Sequence, residues 1–352
     1  MSGVLTVAKL EFRLRIRAGR WRWMLASWFV LLLVVTLLVR NAATQRNIAG
    51  DEPQATGAVM FGVVVLIVLA LALLVTPALA AQSVNGDRER GTLATLQVTR
   101  LTAAEIAFGK LLASWGTAVV FLAVTLPLAL WCFAEGGLSV LRIAGVYLVT
   151  TLLLGIVCSV SLALSALLAR STTSGVLAYL TVFALTVGTL IAFGLVTAVT
   201  QQTVSATTEQ CDSYDQNGNG TNCALVGYET TVARTDRTWW ILAPNPFVVL
   251  ADSAPAGPTR TVRRPDGTTE QQPLPVDVLG AMSRGLHTIR VRPEPVEGPY
   301  GTNFETPAGV TGGAVWPFGL AFDVLLAVGA LWLATRRLRT PTDRLAKGQR
   351  IA

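Results

Sequence analysis

The sequence is poor in charge and contains a single histidine, His287. Charged residues make up 14% of the chain and hydrophobic ones 52%, whereas a soluble domain carries about a quarter charged residues. One histidine in a proline-rich loop cannot build a multi-histidine metal site, and it gives poor support to a serine–histidine hydrolase. The lack of charge instead indicates a protein that lies largely in lipid.

The apolar residues are gathered into long runs. Crossing the hydrocarbon core as a helix takes about 20 apolar residues, and only helices and closed barrels satisfy every backbone group there. The first run follows a basic stretch too long for a usual signal peptide, so we interpret it as an uncleaved span. We predict an all-α membrane protein with six transmembrane helices, at Met24–Val39, Gly57–Ala80, Leu111–Phe133, Val140–Leu168, Val176–Thr200 and Val315–Ala334.

The net charge of +7 comes from arginines and lysines placed at the ends of the apolar runs. That placement argues against a nucleic-acid partner and for a lipid bilayer. The N-terminal segment, the loop after the second run and the C-terminal tail are the most basic segments, and with six spans all lie on one side. The positive-inside rule then predicts a multi-pass protein of the cell membrane with both termini in the cytoplasm. Within the first segment, Val4–Arg22 has helical periodicity typical of an amphipathic helix on the membrane surface; the alternative is a basic leader that only fixes orientation.

The loop between the second and third spans carries the most informative pattern. Its charged front is followed by Leu93 and Leu96, which share a helix face because they are three residues apart. Thr102-x-x-Glu105 is a capping box that starts a helix entering the third span. We predict two short helical pieces joined near Arg100, suited to docking against a soluble partner; the alternative is an ordinary solvated loop.

Asp87-x-Glu89-x-Gly91-Thr92-Leu93-x-x-Leu96, followed by Glu105-Ile106-x-x-Gly109-Lys110, resembles the signature of type-2 ATP-binding-cassette permeases. The plan of the chain is similar too, although Thr99-Arg100 stands where that family often has proline. The resemblance implies a coupling helix seated in a cytoplasmic ABC ATPase, a second permease half, and export of a hydrophobic or amphipathic substrate such as a lipid, drug or antibiotic. The implied contact residues are Asp87, Arg88, Glu89, Arg90, Gly91, Thr92, Leu93 and Leu96.

The sequence has no Gly-x-x-x-x-Gly-Lys-Ser/Thr, so it lacks the loop that cradles nucleotide phosphates. We therefore expect no cofactor on this chain, and ATP with Mg²⁺ in a separate ATPase subunit. Two other classes remain open. One is a membrane scaffold that presents its extracytoplasmic loop to an envelope partner. The other is an ion-coupled secondary transporter, which predicts several intramembrane charges and paired broken spans, whereas only Asp323 is clearly present.

The long loop Gln201–Gly313 predicts a small, partly β extracytoplasmic subdomain. Pro265-Asp266-Gly267 between strand-like residues predicts a hairpin over Thr261–Thr269, and His287–Arg292 suggests another short strand. Trp239–Leu250 is apolar but too short to span, which favours a re-entrant or interfacial segment. We therefore predict five segments. They are an amphipathic cytoplasmic helix at 1–23, the first five spans at 24–200 with the coupling loop at 81–110, the extracytoplasmic subdomain at 201–313, the sixth span at 314–335 and a basic cytoplasmic tail at 336–352.

Three smaller patterns are candidate sites. Cys211 and Cys223 lie in the extracytoplasmic loop, where a disulfide is permitted. Between them, Asp215, Asn217 and Asn219 match the first half of a calcium loop at 215–221, but Val226 stands where its glutamate belongs, and a polar turn is the alternative. Asp323, inside the last span, either lines the translocation path or lies near the outer interface within reach of water.

Overall fold

The structure, a computed structural model, describes residues 2–17, 20–48, 56–91, 101–214, 220–254, 259–263, 269–273, 278–298, 301–305 and 312–339. Within those residues it has six helical stretches long and apolar enough to cross a membrane: Trp21–Gln45, Thr56–Glu89, Ala103–Ala134, Val140–Leu167, Ser171–Val199 and Trp316–Leu338. Each contains or overlaps one predicted span. The all-α membrane fold with six spans is confirmed.

The first three spans follow an N-terminal helix of sixteen residues. The third span is interrupted at Val124–Thr125 and resumes with Pro127 in the first turn of a new helix, where its missing N–H costs nothing. Pro77, by contrast, lies inside its helix. The elements of this half are α1 Ser2–Arg17, α2 Arg20–Ile48, α3 Thr56–Ala80, α4 Asn85–Glu89, α5 Ala103–Ala123 and α6 Leu126–Ala134.

The last three spans are α7 Val140–Leu167, a fifth span made of α8 Ser171–Phe183 and α9 Thr189–Val199 joined by a π-helical turn at Ala184–Gly188, and α12 Trp316–Leu338. The core lies where α3 and α7 meet α5 and α12. The fifth span contributes little to it, since its buried residues are Ser174, Ala178 and Thr197. Its apolar surface is therefore free to face lipid or another chain.

The segment between α9 and α12 is the mixed subdomain that the sequence predicts. A four-stranded sheet has the order β2-β1-β6-β5, and β3 pairs with β4 in a separate two-stranded sheet, so the predicted hairpin is confirmed. Two helices accompany the strands. The bounds are β1 Gln202–Tyr214, β2 Gly220–Val232, α10 Pro246–Ser253, β3 Thr259–Arg263, β4 Thr269–Pro273, α11 Val278–Ile289, β5 Glu294–Gly298 and β6 Gly301–Glu305.

The predicted strand at His287–Arg292 is wrong. His287 lies in the last turn of α11, and the next strand begins only at Glu294. Leu279, Met282 and Leu286 recur at helical spacing and pack toward the bundle, which stabilises a helix over this stretch. The short window His287–Arg292 could not show that period, because most of the helix precedes it.

Candidate functional site

Lys110, near the start of the third span, is fully buried and holds three elements together. Its ammonium group donates to Glu11 Oε1 of α1 at 2.6 Å, to the Ser83 carbonyl at 2.9 Å, and to Asp87 Oδ2 of α4. A buried ammonium requires such partners, because desolvating an unpaired charge is costly. We call Lys110, Asp87 and Glu11 the buried triad, and the end of the bundle that contains it the triad end.

Further polar contacts fix α4 to the connection between the fourth and fifth spans. Ser165 Oγ, buried in α7, accepts the backbone N–H groups of Val84 and Asn85, both at 3.2 Å. Arg88 donates to the carbonyls of Leu168 at 3.1 Å and Ala166 at 3.0 Å. These bonds satisfy groups at the helix ends that would otherwise lack partners. The short helix α4 is thereby attached to α7 as well as to α5.

The N-terminal helix α1 lies against α5 through a glycine. A Cβ on Gly109 would stand 2.6 Å from the Cβ of Val7, so only glycine permits this approach. Arg15 extends the contact by donating to the Leu79 carbonyl at 3.1 Å and to Thr117 Oγ1 at 3.3 Å. The pair Gly109-Lys110 thus combines a close backbone approach with a buried cation.

We expect Gly109→Ala to displace α1, because the added methyl group collides with Val7. The expected result is a lower unfolding temperature in detergent and faster trypsin cleavage after the exposed Arg13. Gly116→Ala is the matched control, since it lies in the same helix and its Cβ meets nothing within 4 Å. That control should be neutral or stabilising by up to about 1 kcal/mol. Equal behaviour of the two variants would contradict the close contact.

The predicted coupling residues separate into three groups. Asp87 is buried, with its carboxylate bound to Lys110, and Arg88 is half-buried against α7. Glu89, Arg90 and Gly91 are exposed, and Gly91 has a φ of 69°, which favours glycine. Thr92, Leu93 and Leu96 lie outside the described residues. The capping box is confirmed, with Thr102 Oγ1 accepting from Glu105 N at 3.2 Å and Glu105 Oε2 accepting from Thr102 N at 2.9 Å.

Comparison with protein families matches residues 5–243 to the family described as ABC-2 family transporter protein. The match covers α1, five spans, the buried triad and the first hairpin of the sheet. The chain belongs to the ABC-2 transporter family. It is accordingly a multi-pass membrane protein of the kind that forms the membrane subunit of a transporter. A comparison with curated proteins finds no significant match.

At the other end of this ABC-2 protein, which we call the hairpin end, a second buried carboxylate joins three elements. Asp252 Oδ2 of α10 accepts the backbone N–H groups of Val315 at 2.6 Å and Trp316 at 2.8 Å, where α12 begins. Its Oδ1 accepts from Ser283 Oγ of α11 at 2.9 Å and lies 2.7 Å from His287 Nε2. We call these groups the Asp252 cluster. It supplies the helix cap that Val315 itself lacks.

The segment Trp239–Leu250, predicted to be re-entrant or interfacial and called the re-entrant segment below, forms part of the same assembly. Trp239–Ile241 is a 3₁₀ turn, and Pro246 begins the buried helix α10 with Asn245 as its cap. Arg290 lies 4.1 Å from the centre of the Trp239 ring and donates to the Ala314 carbonyl at 2.6 Å. The segment is therefore held to both α11 and α12. Sequence reasoning missed this cluster because no local pattern joins residues so far apart in the chain.

In the sheet of the ABC-2 protein, Cys211 and Cys223 lie opposite each other in register and form a disulfide. Glu209 lies close to both sulfur atoms, but sulfurs joined to each other cannot serve as thiolate metal ligands. The candidate calcium residues Asp215, Asn217 and Asn219 lie outside the described residues. At the base of the same hairpin, the Arg234 guanidinium donates to both oxygens of Asp236 at 2.8 Å and holds the pKa of that carboxyl below its usual value.

Proposed function

We propose that the chain is the permease subunit of an ATP-driven exporter that moves a hydrophobic or amphipathic substrate, such as a lipid, drug or antibiotic. A second permease half, identical or related, completes the translocation path, and the fifth span offers apolar surface for it. A separate cytoplasmic ABC ATPase hydrolyses Mg²⁺-bound ATP. In this proposal the triad end faces the cytoplasm, both termini lie there, and the hairpin end faces outward.

The observation that carries the proposal is the way in which α4 is anchored. Asp87 and Asn85 bind inward, to Lys110 and to Ser165 and Ser174, while Glu89 and Arg90 remain exposed. A docking element that must transmit force needs an exposed face for the partner and a rigid attachment behind it. An ordinary solvated loop would need neither the buried ion pair nor the bonds to α7. Asp87 accordingly acts as a positioning residue in this proposal, rather than as a direct ATPase contact.

The exporter proposal predicts that a charged and an apolar change on the coupling loop release the ATPase. In Glu89→Lys with Leu93→Asp, the co-purified nucleotide-hydrolysing subunit should fall about tenfold or more, equivalent to about 1.4 kcal/mol of binding. The subunit is quantified by mass spectrometry and by Mg²⁺-dependent ATP hydrolysis after purification in detergent.

The matched control makes the same two changes on the hairpin, as Glu229→Lys with Leu225→Asp. Both positions are exposed on β2, so the control should retain the ATPase. Wild-type protein that purifies without a nucleotide-hydrolysing subunit, or a coupling-loop variant that retains it fully, would favour the membrane scaffold instead.

A further inference from the structure

The last span carries one acid on its buried face. The buried residues of α12 are Gly319, Asp323, Ala327, Ala334 and Leu338, a stripe that follows the helical period. Asp323 is 1% exposed and lies seven residues, or about 10 Å, from the start of the helix. Its neighbours on the stripe are small or apolar, so the acid is not explained as part of a polar surface.

Asp323 lies one turn below the re-entrant segment. One turn toward the hairpin end, a Cβ on Gly319 would stand 1.9 Å from the carbonyl oxygen of Ala243, so the segment and α12 touch backbone to backbone. One turn in the other direction, Ala327 packs in a cluster with Ile156 and Val157 of α7. The carboxyl group is thus enclosed between this segment and the bundle core.

Neither oxygen of Asp323 has a hydrogen-bond partner among the residues that the structure describes. Among the charged residues on the elements packed against α12, Lys110 is paired with Glu11 and Asp87, Asp252 accepts from Ser283 and from the backbone of Val315 and Trp316, and Arg290 lies over the Trp239 ring. Glu105 caps the start of α5, and Arg142 lies in the first turn of α7. An ionised carboxylate without hydrogen bonds is strongly disfavoured in a low-dielectric interior, whereas a protonated carboxyl is neutral. The group is therefore suited to hold a proton in this conformation.

We propose that Asp323 is a single-cation site, occupied by a proton in this conformation and by the ammonium group of a cationic amphiphile during export. The arriving substrate cation pairs with the carboxylate as the carboxyl releases its proton to water. When the re-entrant segment moves away, the cation leaves toward the hairpin end, and the carboxylate takes a proton from water before it is buried again. The inference rests on the proposed exporter function and names a substrate class for it: amphiphiles with one positive charge and an apolar body.

Access to Asp323 depends on the Asp252 cluster. Its bonds to Val315 and Trp316 fix the start of α12, two turns above Asp323, and Asn245 anchors the segment to the fifth span through the Thr186 carbonyl at 2.7 Å. A rearrangement of these contacts opens the route from the carboxyl group to the hairpin end. The substrate is thus released by moving one short segment, without unfolding a span.

The test uses the permease and its ATPase in proteoliposomes with two fluorescent probes that share one tail. One probe carries a trimethylammonium head and the other an uncharged alcohol head. In Asp323→Asn, which is isosteric and neutral, the ratio of ammonium-probe transport to alcohol-probe transport should fall tenfold or more. The infrared carbonyl band of a buried carboxylic acid should be present in the wild type and absent from the variant.

Equal retention, or equal loss, of both probes in Asp323→Asn would overturn the cation site, as would the absence of a carboxylic-acid band from the wild type. Wild-type complex that moves neither probe and has no ATPase stimulated by them would overturn the exporter function itself. The two failures are therefore distinguished by the measurement. Failure of the exporter function appears as absent transport and absent ATPase stimulation in the wild type, whereas failure of the cation site appears in the probe ratio of the variant or in the infrared band.

Discussion

Lys110→Met should destabilise the protein by about 3–5 kcal/mol, the usual cost of removing one partner from a buried ion pair. The variant removes the buried cation that Asp87 and Glu11 share at the junction of α1, α4 and α5, and the pair of Asp87 with the exposed Arg90 is no substitute for it. Methionine has a similar length, so the loss reflects charge more than volume. We expect the unfolding temperature in detergent to fall by roughly 10 °C, and retention of the ATPase to fall with it.

Arg40→Met is the matched control, because it removes a cation from the ion pair with Glu135. That pair is partly exposed, with side chains 43% and 23% accessible, so its loss should cost at most about 1 kcal/mol. Adding Asp87→Asn and Glu11→Gln to Lys110→Met should restore much of the stability, since no buried charge then lacks a partner. A Lys110→Met variant as stable as Arg40→Met would contradict the buried triad.

The residues at the triad end could be located from the sequence, but most of their contacts could not be predicted from it. The resemblance singled out Asp87 and Gly109-Lys110, and local chemistry predicted the capping box at Thr102. The pairing of Lys110 with Glu11 could not be predicted, because 99 residues separate them and nothing in α1 marks that glutamate among its basic residues. Asp87 looked like a surface charge because burial depends on the neighbours that the fold supplies.

In the fold, too, features decided by neighbouring residues were predicted and features that depend on distant residues were not. Spans were predicted because about 20 apolar residues in a row decide a membrane helix locally. Their ends were less accurate: the first span was predicted from Met24, whereas the apolar stretch runs from Trp21. In the mixed subdomain, Pro-Asp-Gly predicted a hairpin because turn residues act over four positions. The assignment of His287 to a strand was wrong, because the apolar face that stabilises its helix begins at Leu279.

The two buried charge clusters lie at opposite ends of one core. The buried triad ties α4 to α5, and the Asp252 cluster ties α10 to α12, while α7 contacts α5, α10 and α12. In the proposed exporter, closure of the ATPases would move α4, and α7 would carry that movement toward the re-entrant segment. A variant that lacks the Asp252 cluster should therefore still bind its ATPase, but the start of α12 at the hairpin end should no longer be held in place.

Asp252→Ala is expected to loosen the start of α12 at the hairpin end. The change removes the acceptor for the N–H groups of Val315 and Trp316 and for the hydroxyl of Ser283, and each buried donor left unpaired costs about 1–3 kcal/mol. A carboxylate at a helix N-terminus also interacts favourably with the helix dipole. Amide hydrogen exchange at residues 315 and 316 should accelerate tenfold or more, while ATPase co-purification is unchanged.

Two controls separate the loss of the Asp252 cluster from a general loss of stability. Asp236→Asn removes a carboxylate at the same end, but it disturbs only the pair with Arg234 and should leave exchange at Val315 and Trp316 unaltered. Asp252→Asn keeps one acceptor oxygen and should fall between wild type and Asp252→Ala. If exchange at the start of α12 stays at the wild-type rate in Asp252→Ala, the carboxylate does not hold the helix, and control of access to Asp323 must lie in the contacts of Arg290 and Asn245 instead.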